Sequence, residues 1–377
     1  MARTETAPAS LETTRSGDGR VQRLPSLTGL RFIAALLVFV FHSMYEAPFA
    51  DRSAQHAYAL VAGQGGWAGV GFFFILSGFV LTWSAREDDT VRRFWRRRVF
   101  KIVPNYLLTY AAAAILIVTA GASLGGWKVL PGIFMLQSWF PQLDVEASGN
   151  PVAWSMSCEA LFYLSFPLLL LLVKRIRSNR LWLWALGICA VIGCVPLVSE
   201  LLPTQPALFF APASSWQYWF IYIFPPTRML DFVLGILMAR IVLSGKWIRL
   251  GFLPAAMLAV GAYVAAYHLV PWTYSLVAVT VLPMALLIAA GAAADVNGSW
   301  SPLRNRVAIW LGNVSFAFYL WHRLVIRYGH HAIGSTRSWS TPEAIGMILA
   351  ALAIALTLAG LTYAFVERPI MRRWSRR

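Results

Sequence analysis

Apolar runs close to twenty residues long recur along this chain, near 27–45, 67–84, 102–120, 152–173, 181–199, 226–243, 250–268, 274–293, 307–326 and 342–364. At about 1.5 Å of rise per residue, each makes a helix about 30 Å long, the hydrocarbon thickness of a bilayer. The composition agrees: 58% hydrophobic, 13% charged and a mean hydropathy of +0.61 exceed what a water-soluble core needs. The expected fold is all-α, a polytopic membrane helical bundle of about ten transmembrane helices.

Charge supplies the orientation. A net charge of +16 would suit nucleic acid on one soluble face, but here Lys and Arg sit in short clusters between apolar runs. The clusters are Arg3 to Arg31, Arg86 to Lys101, Lys174 to Arg180, Lys246 to Arg249, Arg304 to Arg306 and Arg368 to Arg377, which are alternate connections. The intervening connections hold Arg52, Lys128, Arg327 and Arg337. Cytoplasmic loops carry the excess of positive charge, so both termini are expected in the cytoplasm of a multi-pass cell-membrane protein, with the lipid bilayer as partner and no nucleic acid. Residues 1–23 lack an apolar region and read as a disordered cytoplasmic tail, 24–370 as the transmembrane domain and 371–377 as a basic tail. Cys158, Cys189 and Cys194 each fall inside an apolar segment, which fits neither a disulfide framework nor a metal site. Two outer stretches, 121–151 with its short apolar patch Leu130 to Leu136, and 200–225 with Trp216, Tyr218, Trp219 and Tyr222, are expected to roof a cavity.

Several runs carry a family resemblance. Arg31 and His42 are separated by ten residues of unbroken apolar sequence. Gly71 to Phe79 reads GFFFILSGF, Phe94 to Tyr106 reads FWRRRVFKIVPNY, Trp154 to Tyr163 reads WSMSCEALFY, Leu311 to His322 reads LGNVSFAFYLWH, and Glu367-Arg368-Pro369 closes the series. In order, from 27 to 369, they resemble the motifs of the membrane acyltransferase 3 family. The resemblance implies transfer of an acyl group, commonly acetyl, from cytoplasmic acyl-CoA as co-substrate, with no bound cofactor. The acceptor it implies is a hydroxyl of a carbohydrate, glycolipid or glycosylated metabolite. The chain departs from the family at Lys101, usually Arg, and at Asp231, which tends to be Glu.

The residues support that chemistry on their own account. Arg31 and His42 lie roughly 16 Å apart along one helix, so His42 sits at membrane depth, where an ionisable group is expensive and points to function. Imidazole suits proton transfer near neutral pH, and O-acyl transfer needs a base for the acceptor hydroxyl. His42 is the candidate base; the alternative is a core histidine bonded to a neighbouring helix. Glu159, the carboxylate of the fourth helix, is expected to hydrogen-bond His42, to hold a substrate hydroxyl, or to pair with Arg31 or Arg228. Arg31, Arg98 and Lys101 are the candidates for the CoA phosphates, Arg31 alternatively snorkelling. Tyr319, His322 and Trp154 are candidates for the acceptor side, interfacial anchoring being the other reading of the first two. Arg228 and Asp231, three apart, read as an intrahelical pair, Ser77 and Ser155 as packing residues, and His330-His331 as part of an outer loop without a carboxylate partner. A proton-coupled transporter is the rival reading, although two similar halves with paired broken helices are not evident.

Overall fold

The computed structural model describes residues 23–334 and 338–374; Arg337, the N-terminal tail up to residue 22 and the last three residues of the basic tail lie outside the described residues. Among the described residues every regular element is helical, and extended pairing is confined to the isolated bridges Phe49 with Trp339 and Ala207 with Ser214. Six stretches of the described residues, Pro25–Met44, Arg52–Trp83, Val91–Thr119, Trp154–Lys174, Ser178–Ser199 and Thr341–Trp374, are long and apolar enough to cross a membrane.

A principal helix stands at each of the ten expected positions: α1 Pro25–Met44, α2 Gly65–Trp83, α3 Val91–Thr119, α4 Trp154–Lys174, α5 Leu181–Ser199, α6 Pro225–Leu243, α7 Phe252–His268, α8 Val281–Val296, α9 Arg306–Gly334 and α10 Thr341–Thr362. Three boundaries differ from the expectation. The basic run 92–101 is not a loop: Thr90 caps α3 by accepting from the Arg93 amide at 3.3 Å, so Arg98 and Lys101 sit a turn apart on a helix. α8 starts at Val281 and not near 274, which puts Pro283 in its first turn, where the missing amide costs no intrahelical bond. α9 runs on to Gly334, taking His330 and His331 out of the expected loop.

Glycine lets the central helices touch. A Cβ at Gly235 of α6 would overlap the Ile75 carbonyl, and one at Gly78 of α2 would overlap that of Phe232. Gly312 of α9 meets the Thr28 carbonyl of α1 in the same way. Where lipid removes the hydrophobic drive for helix association, such close approach supplies the van der Waals attraction that holds helices together. Gly65 and Gly69 of α2 come against the Leu37 and Ala34 carbonyls of α1, so α1 packs against both α2 and α9.

The connections gather at two ends. At one, Asp295 accepts from the Ser26 amide (2.9 Å), the Ser26 hydroxyl (2.6 Å) and Arg304 Nε (2.8 Å), Trp182 donates to the Lys246 carbonyl (2.9 Å), and Phe100 stacks on Trp374. At the other, the Ala50 amide donates to the Trp339 carbonyl (2.8 Å), Gln64 to that of Ala266 (3.3 Å) and Trp219 to that of Ser138 (2.9 Å). The second end carries the two stretches expected to form the roof, and there they touch each other. Gln137 and Ser138 donate to the carbonyls of Ala153 (2.8 Å) and Trp154 (2.7 Å), tying 121–151 to the start of α4, and Trp139 meets Phe224 of the other stretch edge-on.

Candidate active site

Between α1, α2, α3, α4 and α9 lies a cavity of about 110 Å³. Arg31, Arg98 and Lys101 stand at its basic end, Glu159, Tyr163 and Ser77 along its wall, and Ser155 and Tyr319 at the far end. Ser77 donates to the Tyr163 oxygen (3.4 Å), and Tyr163 in turn to Glu159 Oε2 (2.7 Å), a line of hydroxyls ending on the carboxylate. Arg97, from the same basic turn, is held by Asp89 (Nη1 to Oδ1 2.9 Å) and does not join the cavity wall.

The expected pairing of Glu159 with His42 is not formed. Glu159 shares its cavity with Arg31, near the start of α1, while His42 occupies the end of that helix. Pairing with Arg228 is also absent: that guanidinium is bound to Asp231, three residues on, with both side chains buried and the cation 5.2 Å from the rings of Phe74 and Tyr222.

His42 instead meets His322. His322 Nδ1 lies 2.6 Å from the Tyr319 carbonyl oxygen, which only accepts, so this nitrogen carries the ring proton and Nε2 keeps a lone pair. His42 Nδ1 lies 3.0 Å from that Nε2 and 3.0 Å from the Val38 carbonyl. Facing two acceptors, it is the protonated nitrogen, and the lone pair of His42 is left on Nε2. The arrangement fixes the tautomer that a general base requires. His322 is fully buried and stacks on Phe318, whereas His42 keeps part of its surface accessible.

The three acceptor-side candidates are thus separated. Tyr319 lines the cavity, its hydroxyl 2.9 Å from Ser155 Oγ and its ring 5.7 Å from that of His322. His322 lies behind it. Trp154 packs edge-on against Phe74 and 5.0 Å from Tyr222, away from the cavity wall. Neither imidazole lines the cavity; Tyr319 does, and its ring is the cavity's contact with His322.

Sequence reasoning missed the polar group beyond that pair. Glu46 binds Arg323 (Oε1 to Nη1, 2.5 Å) and His330 (Oε2 to Nδ1, 3.0 Å), giving His330 the carboxylate it was expected to lack. Burial opposes the Glu46 charge, but the bonds to Arg323 and His330 outweigh it and hold the carboxyl below its usual range. In the roof, Glu146 is buried to 8% exposure, and burial pushes its carboxyl up to about 8. Spacing gave no signal for Glu46, since both of its partners come from elsewhere in the chain.

A family model described as an acyltransferase domain, acyltransferase 3, matches residues 24–362. Acyltransferase MdmB of Streptomyces mycarofaciens is 44% identical over 368 residues, covering 95% of this chain and 94% of its own. A putative peptidoglycan O-acetyltransferase of Bacillus subtilis, YrhL, is 26% identical over 94% of this chain, and a putative O-acetyltransferase of Staphylococcus aureus strain COL is 23% identical over the same share. The chain spans 56% and 58% of those two. No solved structure matches.

Proposed function

The chain belongs to the acyltransferase 3 family, an enzyme that transfers acyl groups, and from that premise we propose that it moves an acetyl group from cytoplasmic acyl-CoA to a hydroxyl of a carbohydrate or glycosylated small molecule, with His42 as general base. The observation that carries the reading is the alignment, through Tyr319, of a cavity with a basic mouth and an imidazole pair whose free nitrogen is His42 Nε2. Family membership decides against the transporter alternative.

In this reading the thioester enters past Arg31, Arg98 and Lys101, which attract phosphate, and its acyl end comes to rest beside Glu159, Tyr163 and Ser155. A cavity of about 110 Å³ is far below the about 300 Å³ at the small end of drug-sized sites, which favours acetyl over a long chain. Tyr319 turns aside to admit the carbonyl to His42. The acceptor oxygen attacks that carbonyl as Nε2 takes its proton, the carbon–sulfur bond breaks, and the proton held on Nε2 passes to the leaving thiolate, which departs toward the cytoplasm as the thiol and leaves the base free again. As Nε2 gains the proton, the one on Nδ1 shifts toward His322, spreading the new charge over two rings. Glu159, bonded to Tyr163, holds the polar wall against which the thioester lies. All ten helices cross the membrane in this reading, with both termini in the cytoplasm, which keeps donor and acceptor on opposite faces.

The test is direct. Purified protein, labelled acetyl-CoA and fractions of surface glycans or secreted glycosylated metabolites should give an acceptor heavier by one acetyl group. His42→Ala, folded and inserted, should lower the rate by about 10²–10⁴-fold. Undiminished transfer by that variant removes His42 as the base; movement of unmodified substrate with no label transfer defeats the reading entirely.

A further inference from the structure

A second cavity, of about 320 Å³, opens beside the first and shares Arg31 and Lys101 with it. Its other walls come from the end of the chain, where the π-helical turn Tyr363–Glu367 leads into a final helix, Arg368–Trp374. Arg368 and Arg372 line the cavity four residues apart, on one face of that helix. Trp374 stacks on Phe100 of α3 at 5.7 Å, seating the helix beside the basic turn that holds Arg98 and Lys101.

The charge is one-sided: Arg31, Lys101, Arg368 and Arg372 against Glu367. That carboxylate accepts from Asn105 Nδ2 at 2.8 Å with 7% of its surface exposed, and its charge offsets one of the four cations. It joins α3 to the last turn and leaves the two exposed arginines facing the cavity. Four cations around one open space favour a ligand with more than one phosphate, and guanidinium groups bind phosphate oxygens in pairs. The inner cavity is too small to hold a whole acyl-CoA, so its nucleotide must lie outside, and this second cavity is where Arg31 and Lys101 lead.

We propose that the cavity of Arg368 and Arg372 receives the adenosine 3′,5′-diphosphate end of the acyl donor, with Arg31 and Lys101 at the passage through which the pantetheine arm continues inward. This rests on the acyl-CoA reading above and adds to it a binding site formed by the chain's last helix. An anionic lipid headgroup offers the same phosphate chemistry, so the test separates the two sources.

Full-length protein in phosphatidylcholine nanodiscs is titrated with labelled acetyl-CoA, and with adenosine 3′,5′-bisphosphate as competitor. The bisphosphate should displace acetyl-CoA from the wild type. Arg368→Ala/Arg372→Ala should weaken both ligands by roughly tenfold or more, while its affinity for S-acetylpantetheine changes far less. Arg175→Ala/Arg177→Ala, at another basic connection, controls for general loss of charge. Equal acetyl-CoA affinity in wild type and the first double variant overturns the inference and leaves the donor reading standing. No acetyl-CoA binding by the wild type defeats the donor reading and the inference together. A defect confined to binding of phosphatidylglycerol vesicles assigns the arginines to lipid and also overturns it.

Discussion

The imidazole of His42 is useful as a base only in the tautomer that leaves Nε2 free, and His322 holds it there together with the Val38 carbonyl, which stays an acceptor in any His322 variant. Replacing His322 with Gln leaves an amide oxygen able to accept from His42 Nδ1, whereas Phe leaves no acceptor there. His322→Phe should therefore lower kcat more than His322→Gln, and the His42/His322 double variant should be little worse than His42→Ala alone, since residues acting as a unit are not additive. Independent, multiplying losses in that kinetic comparison would separate the pair. Glu146 gives a second residue-level expectation. Its carboxyl is pushed from an ordinary value near 4.5 to about 8 by burial, so the folded state holds a proton that the unfolded state has released. Its contribution to stability is then fully present below about pH 4.5 and is lost as pH rises toward 8. Glu146→Gln should flatten that slope in melting curves taken from pH 5 to 8, raising Tm most at the alkaline end. His42 was readable from sequence because a lone ionisable group in an apolar run stands out. Its partner was not, because His322 lies 280 residues away and was legible only as a polar residue on another helix.

Helices were the legible scale, since twenty apolar residues announce themselves; their ends were not, where polar partners from distant segments decide. α9 continues past its apolar run because Arg323 and His330 find Glu46, and α3 begins early because Thr90 caps a run of arginines that reads as loop by composition alone. Contacts between helices were also hidden, for a glycine in an apolar run looks alike whether it faces lipid or another backbone. Gly235 and Gly187 show the difference: a Cβ on the first meets the Ile75 carbonyl, and one on the second meets nothing. Gly235→Ala should separate α6 from α2 and lower thermal stability in detergent sharply, by about 2 kcal/mol or more. Gly187→Ala should stay within ~1 kcal/mol of wild type, and any shift should be upward, as alanine favours helix. Matching losses at the two sites would mean that close approach of α2 and α6 does not hold the bundle together.

At the scale of the whole molecule, the basic connections and the contacts between connections agree. Ser26 with Asp295 and Arg304, Trp182 with Lys246, and Phe100 with Trp374 join segments that all belong to the lysine- and arginine-rich set. Ala50 with Trp339, Gln64 with Ala266 and Ser138 with Trp219 join segments of the other. If any single one of the ten helices failed to cross, at least one of these bonded pairs would fall on opposite faces of a membrane, so the contacts agree with the alternation that the charge pattern implies. The same division sorts the chemistry: Arg31, Lys101 and Arg372 belong to the first end, while Tyr45, Glu46 and the roof belong to the second. Single cysteines placed on a background lacking Cys158, Cys189 and Cys194 read this out. In intact cells, a membrane-impermeant maleimide should label Tyr45→Cys and Trp127→Cys, both exposed, and should reach Arg372→Cys only after the membrane is opened. Ser77→Cys, inside the cavity with the basic mouth, should follow Arg372→Cys, and acetyl-CoA should slow its labelling. If it reacts from outside instead, the cavity opens to the acceptor's face, and donor and acceptor exchange places in the mechanism.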